Sequence, residues 1–452
     1  MTDQTLSPLG HFRALLVLGL PLIGGHLAQF AIGLTDTIML GWYGVAELAA
    51  LTLATTWFFV LFLLGSGFAW AVMPMVASFH AEQDQQSVRR ATRMGLWLSG
   101  FFFCAALPLM LWSRPIFLAL GQAPDLAEMA QTYLRIAGLG MLPALGVMVL
   151  KSYLAALERT QTIFWITVGA AVLNGVANYI LIFGNFGAPE LGIRGGALAS
   201  LMTSLLSFAA VVVYAVRILP EHALFQRFWR ADGEMLRRVF QLGWPIGLTN
   251  LSEVGLFASS AFMVGWLGTV PLAAHGIALQ VATATFMIHL GLSNAATVRA
   301  GAALGRRDVA GLTRGAKVAS MTSLMIAVVA STAFFAIPEV LIRPFLDPAE
   351  PKLDEIMLIG TGLLALAALF QMFDGAQVIA LGLLRGVQDT RVPMIMAATA
   401  YWVIGLPAGY VLAFVAGLGA KGIWIGLVLG LSAAAVMLLW RFWRHSVPAL
   451  PR

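Results

Sequence analysis

Long apolar runs, separated by short polar breaks, make up almost the whole chain. The runs are centred near residues 25, 60, 105, 140, 173, 206, 250, 285, 328, 370, 402 and 431. Each can hold roughly 20 residues of helix, the length that crosses the hydrocarbon of a bilayer. The pattern predicts an all-α polytopic membrane protein with twelve transmembrane helices. The first run, HFRALLVLGLPLIGG, has a basic flank like that of a signal peptide, but no A-x-A cleavage sequence follows it. It is read as the first span.

The polar breaks differ in charge. Even-numbered connections hold Arg89, Arg90 and Arg93, Lys151 and Arg159, then Arg217, Arg227, Arg230, Arg237 and Arg238. The second half continues with Arg299, Arg306, Arg307, Arg314 and Lys317, then Arg385 and Arg391. With Arg13, Arg441, Arg444 and Arg452 at the ends, 21 of the 27 Lys and Arg fall on one side. An excess of Lys and Arg marks the cytoplasmic side, so both termini are expected there.

The longest polar connection, 217–238, splits the chain near its middle, giving an expected N-terminal lobe at 1–216 and C-terminal lobe at 239–452. The halves repeat. LGLPLIGGHLAQF at 18–30 aligns with LGWPIGLTNLSEV at 242–254, and MLGWYG at 39–44 with MVGWLG at 263–268. The same register pairs Asp84 with Asp308 and Arg90 with Arg314. Six spans per repeat keep the copies in one orientation, which predicts a pseudo-two-fold axis along the membrane normal. Transporters built this way bind substrate between the halves.

Composition sharpens the class. The 452 residues are 60% hydrophobic and 11% charged, against roughly 25% charged in soluble domains. The single cysteine excludes an intramolecular disulfide. The net charge of +6 follows from the topology, and no nucleic-acid partner is expected.

Most of the 21 acidic residues lie in loops or at helix ends, but Asp36, Glu253 and Asp374 sit inside spans. A charge at the bilayer centre costs about 3 kcal/mol on insertion scales. An asparagine could make a similar structural hydrogen bond more cheaply, so these carboxylates point to function. Asn174 and Asn178 in VLNGVANYI are four apart and share a helix face. With Asp36 they make a polar pocket, and Ser200 is a candidate for its rim. Each carboxylate can be kept neutral by a proton or by a cation such as Na⁺. His289 in FMIHLGLSN is either a structural donor or a proton relay. Gln29 and Gln280 are further polar candidates for a substrate cavity.

The chain resembles the multidrug and toxic compound extrusion (MATE) family, in particular its bacterial NorM-type branch. The resemblance rests on GLTDTIMLG at 33–41, FGNFGAPELG at 183–192, SEVGLFA at 252–258 and FQMFDGAQVIALGLLRG at 370–386. YWVIGLPAGYVLA at 401–413 and LGAKGIWIGLVLGLSAA at 418–434 add to it. It implies two lobes, a central cleft and antiport of organic cations against Na⁺ or H⁺. It also implies a cation site at Glu253 and Asp374 with Phe257 near it, and a polar cluster of Asp36, Asn174 and Asn178. Glu253 and Asp374 would be the metal ligands if the ion is Na⁺. Two positions depart from the pattern: Phe370, where relatives can carry tyrosine, and His289, where relatives tend to have proline. Both lean toward protons.

The expected function is therefore a secondary multidrug efflux antiporter of the bacterial inner membrane. It would be monomeric in the lipid bilayer, with no cofactor beyond the coupling ion, its lobes rocking about a flexing 217–238 connection. The alternative is a lipid-linked precursor flippase of the same superfamily, which would need cations in its cavity. An intramembrane aspartyl protease lacks its G-x-G-D context here, and no H-E-x-x-H or G-x-S-x-G motif occurs. No enzyme activity is expected.

Overall fold

The computed structural model describes residues 6–346 and 351–449; Arg452 lies outside them. Twelve long helices follow one another: α1 (Pro8–Tyr43), α2 (Val45–Ala81), α3 (Gln85–Leu111), α4 (Pro124–Ala156), α5 (Thr160–Phe183) and α6 (Ile193–Ile218). The second repeat comprises α7 (Gly233–Gly265), α8 (Thr269–Gly305), α9 (Val309–Ala336), α10 (Leu353–Gly386), α11 (Arg391–Val415) and α12 (Ala420–Ser446). Among the described residues, eleven of these are long and apolar enough to cross a membrane. The twelfth, α7, is 33 residues long. Thr249, Asn250, Ser252 and Glu253 dilute its apolar character.

The two repeats use the same packing plan. In the first, α2 packs on α3 and α4, α4 on α6, and α5 on α6. In the second, α8 packs on α9 and α10, α10 on α12, and α11 on α12. The paired aspartates serve the same end. Asp84 accepts from the Ser87 N–H at 2.9 Å, and Asp308 from the Gly311 N–H at 2.7 Å. Each thereby satisfies one of the orphan donors at a helix start.

A shared turn joins α2 to α3, α4 to α5, α8 to α9 and α10 to α11. Gln83, Glu158, Arg307 and Gln388 take left-handed φ values of 64°, 61°, 56° and 60°. The next residue's N–H then bonds a carbonyl five positions back, as in Asp84 to Phe79 and Asp389 to Leu384, both 2.9 Å. Glycine is the usual residue at such a C-cap. Its absence from all four positions hid the motif in the sequence.

The chain divides into two compact units, Gly24–Gly247 and Met1–Ile23 with Leu248–Arg452. These boundaries differ from the expected division at 217–238. The reason is close helix packing at equivalent positions of the repeats. In one unit, a Cβ on Gly67 would lie 2.9 Å from the Gly247 Cα; in the other, a Cβ on Gly291 would lie 2.7 Å from the Ile23 Cα. Both approaches need glycine, so the start of α7 belongs with α2 and the start of α1 with α8.

The 217–238 connection, expected to flex, is not slack. Arg93 is buried and donates to the carbonyls of Leu224, Gln226 and Arg227 at 3.4, 2.6 and 3.2 Å. The Trp97 indole donates to the Phe228 carbonyl at 3.1 Å. Asp232 binds the Arg90 guanidinium at 2.5 and 3.2 Å and accepts from the Met235 N–H at 3.1 Å. These bonds make the connection part of the first unit.

Candidate functional site

Within the unit of Gly24–Gly247, α1, α5 and α6 converge on Asp36. The Asn178 amide donates to Asp36 Oδ1 at 2.5 Å and to Asn174 Oδ1 at 3.1 Å, while Ser200 donates to Asp36 Oδ2 at 3.3 Å. Asn174 and Asn178 are fully buried, as their spacing on one face of α5 requires. The Tyr133 hydroxyl lies 3.5 Å from Ser200 and extends the network to α4. The structure thus joins four sequence candidates, Asp36, Asn174, Asn178 and Ser200, and adds Tyr133. Gln29 stands exposed on α1.

The other unit holds the second cluster, where α7 and α10 bring Glu253 and Asp374 together. The Gln377 amide donates to Glu253 Oε1 at 3.1 Å. Gln377 follows Asp374 by three residues, so both lie on the same stripe of α10. Asp374 is only 1% exposed, and neither of its carboxylate oxygens has a hydrogen-bond partner among the described residues. Tyr401 and Arg385 are close enough to interact electrostatically with Glu253. Arg385 is buried and donates to Asn250 Oδ1 at 2.8 Å. It counts with the basic connections by charge, and it forms part of the last turn of α10.

Tyr401 lies in a π-helical stretch, Ala400–Gly405, within α11. Such bulges recur at functional sites because the extra residue re-aims a side chain. Its hydroxyl is buried beside the Gln377 side chain. Tyr401 opens the quoted YWVIGLPAGYVLA run, so the stretch was legible and its role was not.

His289 on α8 is fully buried, with Nδ1 2.9 Å from the Ser323 hydroxyl. A Cβ on Gly375 would lie 2.7 Å from His289 Cε1 and 2.9 Å from Ser323 Oγ. Glycine beside Asp374 therefore lets α10 lie directly against this histidine. Gln371 bonds the Ala282 carbonyl at 3.0 Å and fixes the same pair of helices one turn away. Phe257 packs edge-on against Phe370 at 5.9 Å, and Phe370 against Trp424 at 5.8 Å. Phe370, the residue in place of a tyrosine, so forms an apolar wall beside the carboxylates. Gln280 is exposed on α8.

A carboxylate held in a membrane helix without a partner can take up a proton or a cation and release it again. Two six-helix repeats, each with a carboxylate among polar side chains inside its spans, define a polytopic membrane transporter. The MatE family model matches residues 21–180 and 245–411. The chain is 46% identical to the "Probable multidrug resistance protein NorM" of Rhizobium meliloti (strain 1021), over 98% of this chain and 95% of the relative. It is 44% identical to the protein of the same name from Agrobacterium fabrum, over 96% and 93% of the two chains. The eukaryotic MATE transporter AtDTX14 has the same fold, with a TM-score of 0.87 and 18% identity over 98% of both chains. The chain belongs to the MatE family. It is a multi-pass membrane transporter and not an enzyme.

Proposed function

We propose that the protein is a secondary active antiporter of the bacterial inner membrane. It exports organic compounds, often cationic and aromatic, in exchange for H⁺ or Na⁺, by alternating access and with both termini cytoplasmic. The multidrug resistance names of its relatives support the cargo class, and the one-sided distribution of Lys and Arg supports the orientation. The observation that carries the reading is Asp374, buried with both oxygens unpartnered beside Glu253. Two adjacent buried carboxylates cannot both stay charged without a counter-charge. Arg385 offsets one of the two charges from the side of Glu253; either the coupling ion or a cationic cargo supplies the other, and the competition between them links the two fluxes. Asp36 offers a second acidic site, already bonded by Asn178 and Ser200.

The test uses purified protein in liposomes loaded with a fluorescent organic cation, with membrane potential clamped. Dye movement driven by a Na⁺ gradient alone makes Glu253 and Asp374 metal ligands. Movement driven by a pH gradient alone makes them proton carriers and puts His289 next for mutagenesis. Movement under neither gradient, across a panel of dyes, overturns the antiporter reading and returns the lipid-linked flippase to the front.

A further inference from the structure

The 217–238 connection carries more cationic charge than its fold uses. Arg93, Trp97 and Arg90 anchor it, and the Tyr153 hydroxyl adds a 2.5 Å hydrogen bond with His222 Nδ1. Under these anchors Ala223 and Arg227 take left-handed φ values of 45° and 53°, unfavourable for any residue with a Cβ. The segment is therefore a strap of fixed shape.

The side chains of Arg227 and Arg230 on this strap, and of Arg217 and Arg237 in the helix ends that flank it, are exposed and make no hydrogen bond or ion pair among the described residues. Trp229, between Arg227 and Arg230, is 78% exposed. Acidic neighbours do little to neutralise them. Asp232 and Glu234 are paired with Arg90, which leaves Glu221 beside His222. The strap runs directly from the last turn of α6 to the first turn of α7, so it lies at the membrane surface.

We propose that this strap is a docking surface for the anionic phospholipid headgroups of the adjoining leaflet. Guanidinium groups match phosphate oxygens in paired hydrogen bonds. A tryptophan beside them suits the headgroup level, where one edge meets hydrocarbon and the other water. Basic clusters next to a span attract anionic lipid. An inorganic phosphate would leave Trp229 without a role, and a second copy would set four unpaired arginines against four more.

The test titrates phosphatidylglycerol and phosphatidylcholine onto the full-length protein in detergent, read by native mass spectrometry. The wild type is expected to prefer phosphatidylglycerol. Combining R217Q, R227Q, R230Q and R237Q is expected to weaken that binding roughly fivefold per arginine removed and to leave phosphatidylcholine unaffected. W229A is expected to weaken it with no change of charge. R93Q, which keeps all four free arginines but unpins the strap, is expected to weaken it as well; if that variant does not fold, the exposed-arginine variant decides. The proposal is overturned if the four-arginine variant keeps wild-type preference, or if inorganic phosphate displaces the lipid completely. A wild-type dimer that the four substitutions dissociate also overturns it, since the surface is then a self-interface.

Discussion

Asp374 is the residue on which the transport reading turns, and its surroundings set what a substitution should do. Asp374→Asn keeps the shape and removes the charge. Since no hydrogen bond to its oxygens is lost, thermal unfolding should not be lowered, whereas gradient-driven dye efflux in liposomes should fall to the level of protein-free vesicles. Efflux at the wild-type rate would remove Asp374 from the coupling machinery. Its neighbour tests packing instead. Gly375→Ala would place a methyl group against His289 and Ser323, and overpacking of this kind costs about 1–3 kcal/mol. A lower unfolding temperature is expected, partly recovered by adding Ser323→Ala. No recovery would mean that the histidine, and not the serine, sets the limit.

At the scale of elements, the connection between α6 and α7 has a pH response built into it. Burial, the largest influence, holds the His222 imidazole below its ordinary value of 6.5, with His80 pushing the same way and Glu221 opposing. The folded protein therefore favours neutral His222 and binds fewer protons there than the unfolded chain. Its contribution to stability is present above pH 6.5 and is lost as pH falls from there through the folded value. Tryptic cleavage at Arg227 and Arg230 should accelerate on acidification from about pH 7.5 to 5.5, in the range where histidine titrates. His222→Gln should flatten that dependence. An unchanged pH profile in the variant would assign the effect to another group. Arg93→Gln should raise cleavage at all pH values, because three carbonyls lose their donor at once.

For the whole molecule, a glycine-dependent approach at equivalent repeat positions, Gly67 and Gly291, ties the start of α7 into one compact unit and the start of α1 into the other. Gly67→Val and Gly291→Val should each cost folded yield in the membrane and lower the unfolding temperature by several degrees, since a side chain at either position must displace backbone. Tolerance at one position and collapse at the other would mean that the repeats are not equivalent in this respect.

The sequence by itself determined the twelve helices, the repeat and the three carboxylates inside spans. Each depends on local quantities: the length of an apolar run, the register of a repeat, and the cost of a charge inside a span. It also made the Asn174–Asn178 face legible, because helical spacing alone puts residues four apart on one side. The partners of Glu253 were hidden, since Gln377 and Arg385 come from α10 and Tyr401 from α11, both far along the chain from α7. Their roles exist only once α10 and α11 have packed, and Arg385 counted with the basic connections because helix ends are poorly marked in sequence. The arginines of 217–238 were absorbed into a topological rule that counts charges without regard to their partners. Only tertiary structure decided which of them are tied and which are free. It also decided where each unit ends, since that boundary follows glycines that meet across the fold and not the longest polar break.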